Sequence, residues 1–324
     1  MHVRRFALPF VTAAALVLGL FPGAAAAYTT VHTGSGRPAL AFANNRLYAA
    51  WTGSTSGTAG KQLIVGWSVD GGHTFTKDNS VVERVPEGEG PALDADGVFG
   101  YAFGVYLAWS AANNANTLSV AYTIGNGLKC RTAFTGVRTL RSPAMARDAL
   151  GRRWIAWTGL DGRLNLGRLD SIGCGSNGVP NGIALLDRVT LADVTAAGPA
   201  LVQDDSGAGN GLILGWTGAG NTINLATFTP GSATLTNRSG VSQPGEVSTG
   251  GGFSLTSHPS DLYIWFRAPD GTVHRGYSQG CRPTCFYTFP WELPAASGVG
   301  TATDGFHDTI GYFDPRGKLS VATY

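Results

Sequence analysis

The side chains best suited to chemistry in this chain are three arginines, Arg37, Arg141 and Arg267, and five tryptophans, Trp51, Trp109, Trp157, Trp216 and Trp265. A guanidinium offers paired donors that match a carboxylate. An indole face offers a flat apolar platform for a sugar ring. Together they point to a surface that binds carbohydrate. Each type also has a plainer use. A tryptophan recurring at one register wedges between structural units, and a loop arginine is solvated. Two acidic turns, Asp94-Ala95-Asp96-Gly97 and Asp204-Asp205-Ser206-Gly207, carry oxygens that Ca²⁺ could use, although turn chemistry alone accounts for Asp beside Gly. No cofactor or metal is expected, with Ca²⁺ at these turns as the alternative. There is no His-Glu-x-x-His pair, no Walker loop and no dinucleotide fingerprint in a strand-to-helix setting, so no catalytic residue is assigned. A glycosidase needs only two carboxylates brought together by the fold, which keeps an enzyme open as the lesser alternative.

What must position these side chains is a repeat. Pro-Ala-Leu occurs at Pro38, Pro91 and Pro199, with Pro-Ala-Met at Pro143, in steps of 53, 52 and 56 residues. Gly252-Phe253-Ser254-Leu255 is a degraded copy. After each comes an apolar run ending in an aromatic and a small polar residue: LYAAWTG from Leu47, VYLAWS from Val105, WIAWTG from Trp154, LILGWTG from Leu212 and LYIWF from Leu262. A third short run follows, as at Leu63–Trp67 and Leu118–Tyr122. Gly, Asn and Asp turns separate the runs, and no helical period is sustained. About six units of roughly 50 residues, each with three strands and room for a fourth, make an all-β, six-bladed β-propeller of four-stranded antiparallel blades. The middle run is apolar on both parities, as suits a blade packed on both faces. The Pro-Ala-Leu starts and the Trp-Thr-Gly ends should share one face around the central funnel, a usual place for small-ligand sites.

The ends fit the same plan. Arg4 and Arg5, the apolar stretch Phe6–Phe21 and the small residues Gly23–Ala27 read as a secretory signal spanning 1–27, which leaves 28–324 as a single propeller domain. The last unit stops at its third strand. The β-prone run Tyr28–Thr33 is therefore expected to supply the missing outer strand and close the ring. Arg4 and Arg5 account for the formal net charge of +2, so the mature chain is neutral and has no field to steer nucleic acid. No second long apolar run is present, so no membrane insertion is expected. Four cysteines in an exported chain suggest two disulfides. Cys130–Cys174 and Cys281–Cys285 are the favoured pairs, the latter closing a short loop.

Ser68-Val69-Asp70-Gly71-Gly72-His73-Thr74-Phe75, directly after the third run of the first unit, resembles the Asp-box (BNR) motif of sialidase-like propellers. The resemblance implies a structural turn in which Ser68, Asp70, Gly72, Thr74 and Phe75 take the motif positions. Arg37-Pro38-Ala39-Leu40 is similar to the Arg-Ile-Pro opening of sialidases, which implies a carboxylate-binding role for Arg37. The tandem pattern is also similar to secreted bacterial propeller repeats. The reading is a secreted, extracellular, monomeric propeller with lectin-like carbohydrate recognition at the funnel through Arg37, Trp51, Trp109, Arg141, Trp157, Trp216, Trp265 and Arg267. A diverged sialidase-like exo-glycosidase and a protein-interaction scaffold are the alternatives.

Overall fold

The computed structural model describes residues 27–57, 60–96, 104–113, 115–123, 127–171, 182–206, 211–240, 252–259, 261–279, 287–304 and 307–324. The expected leader falls outside them but for Ala27, as do Cys174, Cys281 and Cys285. Cys130 is disulfide-bonded.

The described chain is almost wholly β. It opens with β1 (Ala27–Ala43), β2 (Arg46–Gly57), β3 (Gly60–Ser68) and the short strands β4 (Thr76–Lys77) and β5 (Arg84–Val85). Next come β6 (Ala92–Asp96), β7 (Gly104–Ser110), β8 (Thr117–Thr123) and β9 (Leu128–Arg138), then β10 (Ala144–Arg147), β11 (Arg153–Thr158), β12 (Arg163–Ser171) and β13 (Ile183–Val194). They are followed by β14 (Ala200–Gln203), β15 (Leu212–Thr217), β16 (Ile223–Phe228) and β17 (Leu235–Gly240), and by β18 (Phe253–Ser257), β19 (Asp261–Arg267), β20 (Thr272–Gln279) and β21 (Tyr287–Pro294). The chain ends with β22 (Gly300–Thr303), β23 (Asp308–Phe313) and β24 (Lys318–Thr323).

Four of the sheets, β6–β9, β10–β13, β14–β17 and β18–β21, are separate four-stranded antiparallel blades of a β-propeller. The remaining strands form one eight-stranded sheet, because β1 is long enough to pair on both sides. Its start pairs β24, with Tyr28 opposite Val321, and its end pairs β2, with Leu40 opposite Ala49. Asn44 and Asn45, both at positive φ (49° and 55°), make the two-residue turn from β1 to β2, a conformation that matches strand twist and that Asn tolerates. The innermost strands β1, β6, β10, β14, β18 and β22 lie each against the next, and β22 lies against β1.

The core lies in six clusters, five drawing on neighbouring sheets and one on the two halves of the eight-stranded sheet. Registers align the repeat. Leu40, Leu93, Met145, Leu201, Leu255 and Thr301 face Ala49, Leu107, Ile155, Leu214, Ile264 and Ile310. Two residues further along the second strand stand Trp51, Trp109, Trp157, Trp216, Phe266 and Tyr312. All six are buried, at 6% exposure or less. The expectation that Trp51, Trp109, Trp157, Trp216 and Trp265 form ligand platforms is therefore corrected. Trp109, Trp157 and Trp216 are wedges between sheets and Trp51 between the two halves of the eight-stranded sheet, because an aromatic is the largest apolar surface the repeat can bury. Trp265 lies outside this series, one position before the wedge Phe266. Neighbouring strand residues point to opposite faces, so Trp265 packs with Ile310, Tyr312 and Ala322.

Candidate functional site

The six innermost strands leave an axial space that one side chain divides. Arg37 leaves the start of the inner part of β1 and crosses the axis. Its Nη1 donates to the carbonyl oxygens of Pro199 (3.2 Å) and Phe253 (2.7 Å), and its Nη2 to that of Pro143 (2.9 Å). Those carbonyls open β14, β18 and β10, so one guanidinium ties the eight-stranded sheet to three of the four-stranded blades. Arg37 is only 9% exposed, and burial lowers its pKa to about 10 against the opposing pull of Glu89. This corrects the expected role of Arg37. It is a strut with most of its donors spent on backbone, not an open clamp for a ligand carboxylate.

On the far side of Arg37, an axial well of about 360 Å³ runs between the inner strands to the face where they end. On the near side, where those strands begin, lies a cavity of about 290 Å³ walled by Ser35, Arg37, Glu89, Ser142, Arg267 and Ser297 and by Gly36, Gly88, Gly198, Gly252 and Gly298. This near-face cavity is the predicted funnel mouth. Of the predicted arginines, Arg37 forms its floor and Arg267 its wall, with the Arg267 Nε held by the Ala295 carbonyl at 2.6 Å. Arg141 reaches it through Glu89, at 3.1 Å.

Glu89 organises the rim. Its Oε2 accepts from the Ser142 backbone N–H (2.6 Å) and hydroxyl (2.9 Å), and its Oε1 accepts from Arg141. The Ser142 hydroxyl in turn accepts the Gly90 N–H at 2.7 Å. The Ser35 Oγ is buried with no hydrogen-bond partner among the described residues. Glu89, Ser35 and Ser142 were not singled out from sequence. The usable signal was positional, since Ser142 stands where Gly90 and Gly198 stand in the neighbouring repeats.

The small polar residue after three of the wedges has a structural use. The hydroxyls of Thr52, Ser110 and Thr158 donate to the carbonyls of Glu89, Thr139 and Ala197, stapling a second strand to the crossover into the next blade. Ser278, in Gly276-Tyr277-Ser278-Gln279-Gly280, has the spacing of a hydrolase nucleophile elbow. It sits inside β20, fully buried, with its Oγ accepting the Leu262 N–H at 3.2 Å, which is not the exposed strand-to-helix turn such a nucleophile needs.

In the turn 68–75, the Ser68 hydroxyl donates to Asp70 Oδ1 (2.6 Å) and accepts the Gly72 N–H (2.8 Å), while Thr74 donates its N–H and hydroxyl to the two Asp70 oxygens. The Ser68 and Thr74 donors hold the Asp70 carboxyl well below the usual carboxylate range. Phe75 packs edge-on to Trp51, with ring centroids 6.2 Å apart. Of the acidic turns considered for Ca²⁺, Asp94 is committed to Arg153 (2.6 Å) and Arg147 (3.6 Å). Among the described residues no cluster of three metal-ligating side chains occurs, and no helix is long and apolar enough to cross a membrane.

No family model matches the chain, and no curated protein matches it in sequence. Solved structures do match in shape. A protein of unknown function from Dyadobacter fermentans superimposes with a TM-score of 0.63 at 10% identity, over 92% of this chain and 97% of that one. The fucose-specific lectin from Aleuria aurantia gives 0.61 at 9% identity, over 90% and 92%. The SapL1 lectin, solved with alpha methyl fucoside, gives 0.56 at 11%, over 87% and 89%. At such identities the likeness speaks for the propeller fold alone.

Proposed function

We propose that this chain is a secreted, lectin-like propeller that binds carbohydrate in the near-face cavity. The observation that carries the reading is the cavity itself. It has Arg37 as its floor and Glu89, Arg267 and three serines on its wall, a concave site with convergent polar groups. The lectins that share the fold support the ligand class. In this reading the eight-stranded sheet counts as two blades, giving six, and the pairing of residues 27–33 with β24 closes the ring. Residues 1–27 are the leader, the protein works outside the cell as a monomer, and Cys130–Cys174 and Cys281–Cys285 are its disulfides. The turn at 68–75 is read as an Asp-box. A sialidase-type reading would need Arg37 open to a substrate carboxylate, and its guanidinium is buried on three carbonyls.

The test is a broad glycan array, sialylated and bacterial-wall sugars included, probed with residues 28–324. Selective binding is expected, weakened about tenfold or more by Glu89→Gln or Arg267→Met, as when a hydrogen bond to a charged group is lost. Silence across the array, or binding indifferent to both variants, would remove the near-face cavity as a sugar site.

A further inference from the structure

The hub arginine is a buried cation without a counter-ion. Among the described residues Arg37 has no ion-pair partner. The carboxylate that influences it, Glu89, is already bound by Arg141 and Ser142. Its three hydrogen bonds all go to neutral carbonyls and use three of five N–H groups. Among the described residues the Nε–H and one Nη2–H have no acceptor, and guanidinium N–H groups hold anions well. Both axial cavities border this side chain, so there is space for a ligand beside it. A charge so placed costs free energy unless it is compensated.

We propose that the axial space beside Arg37 is a binding site for a small monovalent anion of chloride size, held by the unspent N–H groups of the guanidinium. The anion neutralises the hub, and its binding is linked to the stability of the ring. Backbone carbonyls on the opposite side of the guanidinium favour a compact, spherical anion over a bulky one, whose own atoms would meet the converging strands. The site does not depend on the carbohydrate reading, because the anion belongs to the ligand-free protein.

The experiment follows thermal unfolding in chloride against gluconate at fixed ionic strength, with no sugar present. Chloride should raise the melting temperature by about 5 °C or more at a hundredfold excess over its dissociation constant. Arg37→Gln should abolish that dependence. If Arg37→Gln does not fold, Glu89→Gln takes its place. Removing a nearby negative charge should tighten chloride by about threefold or more. Bromide soaked into crystals should give an anomalous peak within hydrogen-bond distance of the Arg37 guanidinium. Equal melting temperatures in chloride and gluconate, a chloride response unchanged by Glu89→Gln, or bromide found only at the surface would each overturn the proposal.

Discussion

The blades meet at two radii, and the two meeting places are built from opposite chemistry. At the hub, strand starts converge until backbone touches backbone. A Cβ added at Gly90, Gly198 or Gly300 would fall inside the shells of the Arg37, Ser142 and Pro38 carbonyls. Polar groups are settled there by one guanidinium and by Glu89. Further out, the wedge positions hold Trp51, Trp109, Trp157, Trp216, Phe266 and Tyr312, and apolar volume decides. The wedge accepts three kinds of aromatic across the ring, and its polar atoms matter little, since the indole N–H groups of Trp51 and Trp109 are buried without a partner. At these glycines the hub has no room for a side chain, yet it tolerates charge. A repeat can therefore drift freely in its wedge residue while its glycines and its one crossing arginine stay tightly constrained by geometry.

Truncating a wedge should give the largest effect on this contrast. Trp157→Ala removes a side chain that is 2% exposed and packed between blades, and should cost about 3–5 kcal/mol in urea unfolding. Trp51→Phe should cost less than about 1.5 kcal/mol, because it keeps most of the volume and discards an unsatisfied N–H. Equal losses for the two would mean that the indole nitrogen has a role the packing does not show, and the contrast would fail on the wedge side.

The hub comes next. Gly198→Ala presses a methyl group against the Ser142 carbonyl, and overpacking of this kind costs about 1–3 kcal/mol. Because Ser142 also anchors Glu89, the variant should disturb sugar binding as well as stability, whereas Trp157→Ala should lower stability and leave the affinity of the folded fraction alone. Melting curves and array binding on the same two variants separate the regions. If Gly198→Ala melts like the parent protein, the hub is softer than its geometry implies.

Some of this was legible in sequence and some was not, for identifiable reasons. The repeat located the strand starts and the shared face because proline and glycine mark positions where the backbone itself is constrained. It also located four wedges, but read them as platforms, since an indole at a fixed register looks the same whether it faces a sugar or a neighbouring blade. The fifth was misplaced by one residue. In LYIWF two aromatics are adjacent, and only the pairing of Leu255 with Ile264 selects Phe266. The fate of Arg37 left no trace in residue types. Its acceptors are backbone carbonyls 106, 162 and 216 positions away. Glu89 reads as one more solvated acid in Glu87-Gly88-Glu89-Gly90 until the fold sets Ser142 and Arg141 against it.

The smallest expected effect lies on the seam where β1 passes from β24 to β2, beside the Trp51 wedge. His32 stands there, its Nε2 3.2 Å from the Phe75 carbonyl and its ring 5.5 Å from that of Trp51. Burial, aided by the charge of Lys77 and opposed by the Phe75 carbonyl, holds the His32 pKa below its ordinary 6.5. Just below pH 6.5 the unfolded chain therefore binds more protons at this residue than the folded one, and stability falls as the pH drops. The shift is modest because the imidazole is partly exposed and solvent screens it. Acidifying from pH 7.5 to 5 should lower the melting temperature slightly and speed amide exchange over residues 27–33, and His32→Phe should flatten both responses. A variant that kept the parent's full pH slope would move the acid sensitivity away from the seam. The wedge would then be as indifferent to charge here as its other members are, and the seam would be held by its strand pairing alone.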